Sequence, residues 1–236
     1  MRNNNVKHGL LLSPPFEKSG CLPNTEILDH CEETNGTLVP VVTVEPTSRE
    51  VREAINLTRE NRNNVKAFKI RLGYVSASAE NPVFHRLYDY AESEQLPVMF
   101  HTGDTAFHNA ALMKSHPLAL DAVANERENL TIVLCHFGNP WFIDTAEMLY
   151  KHPNVYADTS GLITNEGEFV AQYENWLVGK LSEAIHYAGS CDKILFGTDW
   201  PVSKYPEMLR LIRRLSVTGR DKQKILYDNA QRLFHF

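Results

Sequence analysis

Seven short apolar runs punctuate the chain, at residues 10–12, 38–44, 65–72, 98–100, 131–135, 155–157 and 194–196. They are Leu-rich or β-branched and do not alternate with polar residues, the pattern of parallel strands buried on both faces. Between them lie stretches whose apolar residues recur at helical spacing. Thr47-Ser48-Arg49-Glu50 opens one with a capping signature, followed by Val51, Ala54, Ile55 and Thr58. Asn81-Pro82 opens another, with Pro82 in the first turn ahead of Phe84, Leu87, Tyr88 and Ala91. Similar stretches run over 118–128, 141–151, 169–188, 205–215 and 221–234.

A repeating unit of strand, loop and helix predicts an α/β fold, with a parallel sheet covered by helices. No low-complexity tract, charge run or Pro/Gly/Ser linker divides residues 1–236, so one domain is expected. An open doubly wound sheet would carry a Gly-rich phosphate loop after its first strand. Here Ser13-Pro14-Pro15-Phe16 follows the first run, and no G-x-G-x-x-G occurs. A TIM-like (β/α)8 barrel is favoured instead, although seven runs are one short of closure.

Three of the runs end alike, in a His or Asp beside a glycine. Phe100 leads into His101-Thr102-Gly103-Asp104, Cys135 into His136-Phe137-Gly138, and Phe196-Gly197-Thr198 into Asp199-Trp200-Pro201. In a barrel, successive strand ends surround one pocket, and catalytic groups come from such ends. Two imidazoles and a carboxylate are also a donor set for zinc or a similar divalent ion. Each residue has a plainer reading when taken alone. A His after a strand is commonly a hydrogen-bonded loop residue, and Asp199 could cap a helix or an Asx turn. Their equivalent positions in the repeat favour a site. Lys69 and Arg71, two apart on one strand, share a face and could hold a substrate carboxylate. A salt-bridged rim position explains them equally well. Asp104 and His108 follow in a polar loop, where Asp104 could line the pocket mouth. Asp158 reads as a structural acceptor, Cys135 as facing the barrel wall, and Trp141 and Trp200 as core packing or pocket walls. The helical His30, His85, His116, His152, His186 and His235 read as surface or packing residues.

Composition narrows the setting. Of 236 residues, 43% are apolar, enough for one sizeable core. A net charge of −5 and a pI near 6.1 give no basic footprint for nucleic acid. No stretch approaches the ~20 apolar residues of a membrane span, and Met1-Arg2-Asn3-Asn4-Asn5-Val6 lacks the apolar region of a secretory signal. Cys21, Cys31, Cys135 and Cys191 are too sparse for a disulfide scaffold and form no C-x-x-C pair. They are read as reduced thiols of a cytoplasmic protein whose partner is a small-molecule substrate.

The chain resembles the amidohydrolase-2 branch of the amidohydrolase superfamily, TIM-barrel metal-dependent hydrolases that include aminocarboxymuconate-semialdehyde-type decarboxylases. The matching segments are Thr43-Val44-Glu45-Pro46, Phe68-Lys69-Ile70, Phe100-His101-Thr102-Gly103-Asp104, Leu134-Cys135-His136-Phe137-Gly138, Tyr156-Ala157-Asp158-Thr159-Ser160-Gly161, Phe196-Gly197-Thr198-Asp199-Trp200-Pro201 and Asn229-Ala230-Gln231-Arg232-Leu233-Phe234. The resemblance implies a divalent metal, zinc by the chemistry of the donors, held by His101, His136 and Asp199. It makes His136 either a second ligand or a nearby acid/base, and Asp199 the base for a metal-bound water near pKa 7. It also tilts Lys69 toward a substrate role. The implied reaction is hydrolysis of a C–O or C–N bond in a small carboxylate-bearing or cyclic compound, or decarboxylation within the same branch.

One departure stands out. The family pattern begins with His-x-His at the end of strand one, and this chain has no His-x-His. Residues 5–14 match the end of helix one leading into strand two, so about thirty residues, one βα unit, lack a counterpart. His8 precedes the apolar run, at the wrong strand end to replace a ligand. The start is therefore truncated or mis-assigned, or the chain is a divergent, even non-catalytic, barrel. Open edges on the first and last strands then predict self-association into a homo-oligomer.

Overall fold

All seven expected strands form: β1 Gly9–Leu11, β2 Leu38–Thr43, β3 Ala67–Ile70, β4 Val98–Phe100, β5 Ile132–Leu134, β6 Val155–Asp158 and β7 Ile194–Leu195. They make one parallel sheet in sequential order, β1 through β7. This computed structural model describes residues 5–13, 22–164 and 170–236. Pro14 to Phe16, Cys21 and the expected helix start at Phe169 lie outside them. Registers such as Phe68↔Val98, Val98↔Ile132 and Ile132↔Val155 carry one side-chain row around the curve. No pairing joins β7 to β1 among the described strands, so the architecture is an incomplete TIM barrel.

Strand alternation sorts the side chains into two apolar layers. Val42, Phe68, Ile70, Val98, Phe100, Ile132, Leu134, Val155, Ala157 and Ile194 face outward into the main core beneath the helices. Val41, Ala67, Met99, Val133, Cys135 and Leu195 face inward and pack with Phe234. Continuing the same alternation places Glu45, Arg71, His101, Asp158 and Asp199 on the inner side as the strands run out. Burial on both faces explains why the runs lack polar alternation.

The helices are α1 Asn24–Glu32, α2 Ser48–Glu60, α3 His85–Glu94, α4 Leu112–Ser115, α5 Asp121–Glu126, α6 Phe142–Lys151, α7 Val170–Ala188, α8 Tyr205–Arg214, α9 Gly219–Gln223 and α10 Asn229–Phe234. As the capping signature predicts, the Thr47 hydroxyl accepts from the Glu50 N–H at 3.1 Å and α2 buries Val51, Ala54, Ile55 and Thr58. The Asn81 side chain likewise accepts from the Val83 N–H at 3.0 Å ahead of α3. The stretch 118–128 divides into a tight turn at Pro117–Leu120 and α5, and 221–234 is broken by a wide turn at Lys224–Asp228 between α9 and α10. No described helix is long and apolar enough to cross a membrane.

The C-terminus closes the floor of the open sheet. Phe234 is 4% exposed and joins the inner layer. Phe236 stacks on His8 at 4.6 Å, just before β1, while His8 Nδ1 bonds the Gly36 carbonyl at 3.0 Å. His8 thus serves the barrel floor, opposite the strand ends that carry His101, His136 and Asp199.

Candidate active site

His101, the inward residue after β4, is 8% exposed. Its ring lies 4.9 Å from that of His136, which follows β5. Asp199 follows β7 in the left-handed region (φ 55°) and is exposed. Gly161 (φ 65°) separates it from His136. A Cβ on Gly161 would sit 3.0 Å from His136 Nδ1 and 3.1 Å from Asp199 Oδ2, so the two functional groups flank a point that only glycine leaves open. The His101-Thr102-Gly103 glycine has a similar cause. A Cβ there would meet the Asn139 carbonyl at 2.5 Å, and the neighbouring Asp104 N–H donates to that carbonyl at 2.7 Å.

His101 Nε2–H donates to the Asp104 carbonyl at 2.9 Å. Burial first, then the positive charges of His136 and Lys69, push its pKa well below the ordinary imidazole value, against the opposing pull of that carbonyl. His101 is therefore neutral at physiological pH. His136 Nδ1 meets both the carbonyl and the hydroxyl of Ser160, each at 3.0 Å. Ser160 is gripped by Asp158, whose Oδ1 accepts from the Ser160 N–H at 2.9 Å, from its hydroxyl, and from the His136 N–H at 3.0 Å. Burial raises the Asp158 pKa, but His136, Lys69 and these donors outweigh it and hold the carboxyl below its usual range.

Lys69 is buried, and its ammonium donates to Cys135 Sγ at 2.7 Å. Cys135 lies in the inner layer rather than on the wall facing the helices, and burial pushes its thiol well up, which suits a structural rather than a nucleophilic role. Arg71 sits nearer the rim and pairs with Glu45 at 2.7 Å, the salt-bridged alternative. Asp104 turns its carboxylate to the Thr105 N–H at 2.8 Å, so that its carbonyl touches the site while its side chain stays in the exposed loop. His108 is exposed as expected. Trp200 corrects the core-packing expectation: it is 78% exposed, because it follows Asp199 out over the rim. Trp141 is half-buried against His116, with ring centroids 4.7 Å apart.

Sequence reasoning missed Tyr74 and Ser160, while Asp158 is the structural acceptor it was read as. Tyr74 lies edge-on to His101 at 4.7 Å, and its hydroxyl accepts from the Ala106 N–H at 2.9 Å, tying down the loop that holds His101. Burial, then Asp104 and Asp199, raise its pKa despite that backbone bond. The only sequence signal for Ser160 was its place two residues beyond an inward Asp158.

The donors leave the expected metal set unclosed in this arrangement. His101 Nε2 and His136 Nδ1 are both engaged by the protein. Among the described residues no group of three or more His, Cys, Asp or Glu is disposed to hold an ion. The inward ends thus gather a buried ammonium at Lys69, two imidazoles and the Asp199 carboxylate at one end of the sheet.

A family model for amidohydrolase matches residues 21–236. A γ-resorcylate decarboxylase from Rhizobium sp. is 29% identical over 160 residues, covering 65% of this chain and 47% of that protein. The match thus spans about half the length of the curated relative. A probable 2-pyrone-4,6-dicarboxylic acid hydrolase from Acinetobacter baumannii superposes with a TM-score of 0.70 at 18% identity, covering 100% of this chain and 86% of that one. A dihydroxybenzoic acid decarboxylase from Polaromonas sp., solved with manganese, gives 0.64 at 17% identity over 90% of this chain and 73% of the other. At such identities the superpositions establish the fold.

Proposed function

Because the chain belongs to the amidohydrolase family, we propose that it is an enzyme of the decarboxylase and hydrolase branch, acting on a small cyclic or aromatic carboxylate. The observation that carries this reading is the meeting of His136 and Asp199 across Gly161, beside the neutral His101, at the strand ends. Barrel enzymes do their chemistry at that end.

Non-oxidative decarboxylation is the leading form, supported by the 29% identity to a γ-resorcylate decarboxylase. The reaction releases CO2 and places one proton on the carbon that carried it. Buried Lys69 puts a positive charge below the imidazoles and favours an anionic group there. His136 delivers or accepts the proton, and Asp199 orients the substrate from the opposite side. Hydrolysis of a C–O or C–N bond is the second reading, in which the same imidazole takes a proton from water. The family resemblance adds a divalent ion, zinc or, as in the Polaromonas structure, manganese. Among the described residues the side chains do not close around such an ion in this arrangement. The setting we propose is cytoplasmic, in line with Cys31, Cys135 and Cys191, all free and buried.

The test is CO2 release from a panel of hydroxybenzoates, alongside ring opening of lactones, by the protein and its Asp199→Asn variant. Decarboxylation by the wild type and a loss of about 100-fold or more in the variant are expected. No turnover of any substrate would make the barrel non-catalytic.

A further inference from the structure

Every hydrogen bond that the described residues make to the His136 ring falls on one nitrogen. Nδ1 faces the Ser160 carbonyl at 3.0 Å and the Ser160 hydroxyl oxygen at 3.0 Å. A carbonyl only accepts, so Nδ1 must carry the proton. The hydroxyl agrees, since its single hydrogen is given to Asp158 Oδ1 and its oxygen is left to accept from the ring. Asp158 sets both partners in place, because the same Oδ1 also accepts from the backbone N–H groups of Ser160 and His136. His101 is in the opposite state. Its Nε2 donates to the Asp104 carbonyl, so its lone pair is on Nδ1.

We propose that Asp158 and Ser160 are positioning residues that lock His136 in the Nδ1–H tautomer, leaving Nε2 as a lone-pair nitrogen that no described residue bonds and that can accept a proton in the site. His101, with its proton on Nε2 and that nitrogen engaged by the Asp104 carbonyl, is fixed in the opposite tautomer. The inference deepens the functional reading above and rests on it. An imidazole works as a base only through an unprotonated nitrogen that can reach the substrate, and the hydrogen bonds that fix the tautomer decide which nitrogen that is. Asp158 is suited to the task. It is buried, and its Oδ1 accepts from the Ser160 hydroxyl and from the Ser160 and His136 N–H groups at once.

The test reads tautomers directly, by long-range proton–nitrogen NMR of histidine-labelled protein as purified, without substrate, at neutral to mildly alkaline pH. The neutral ring of wild-type His136 is expected in the Nδ1–H form and that of His101 in the Nε2–H form. Ser160→Ala removes one of two acceptors, and Asp158→Ala releases the turn that presents both. Each should shift the His136 tautomer ratio toward Nε2–H by about fivefold, the worth of one hydrogen bond. His101 should stay unchanged. Ser160 is half-buried, so its variant decides the matter if Asp158→Ala fails to fold. A wild-type His136 in the Nε2–H form, or an unchanged ratio in the folded variants, would overturn the proposal. Since the signal needs no turnover, a correct tautomer in an inactive protein would sink the functional reading alone.

Discussion

His101 gives a quantitative check on how the inner layer is built. Its ring is 8% exposed and neutral, with its pKa held well down by burial and by the charges of His136 and Lys69. The unfolded chain takes up a proton on this residue below about pH 6.5, while the folded chain excludes it. Stability from this source is therefore complete above pH 6.5 and declines on acidification until the folded pKa is reached. Each pH unit within that window costs up to about 1.4 kcal/mol. Asp158 acts in the same sense but in a lower range: its folded pKa is also depressed, so its contribution is lost only on further acidification, below the window. Urea unfolding of wild type and His101→Asn across pH 4.5–7.5 isolates the effect. On acidification below pH 6.5 the wild type should lose stability faster than the variant, by up to about 1.4 kcal/mol per pH unit. Parallel pH dependences would refute the claim that the interior keeps His101 unprotonated.

Three further outcomes are expected. Protein purified without added metal should carry well under one equivalent of zinc or manganese by elemental analysis; a full equivalent, lost in His101→Ala, would show that the loop after β4 releases Nε2 to an ion. Phe234→Ala should cost about 3–5 kcal/mol in denaturant unfolding, because the ring fills the inner layer, and an unchanged midpoint would contradict a packed floor. The sides of β1 and β7 that pair with no described strand should drive self-association, seen by light scattering as a mass above the 26.9 kDa monomer, whereas a clean monomer at high concentration would argue against open edges.

The strands were legible because burial on both faces writes itself as uninterrupted apolar runs, and all seven emerged in order. Helices with caps, such as α2 behind Thr47, were equally plain. α1 was not, since Pro23 precedes it without a side-chain cap and its apolar residues are few. At the site, the strand-end rule found His101, His136 and Asp199 because equivalent positions in a repeat converge. Alternation placed Lys69 and Arg71 on one face, yet two residues of depth separate a buried ammonium on Cys135 from a rim guanidinium on Glu45. Neither partner could be read off, because contacts between strands depend on register and tilt. Ser160 and Tyr74 escaped for the same reason: each acts through a residue distant in sequence. Trp200 misled because large aromatics are usually buried, whereas this one follows a left-handed Asp199 away from the core.

The most direct test of the central claim is kcat/KM of His136→Asn on whichever carboxylated ring the wild type turns over. A folded variant that retains substrate binding but loses about 100- to 10,000-fold in turnover is the predicted result. Unimpaired turnover in that variant would contradict the account, since His136 is the imidazole that faces Asp199 across Gly161.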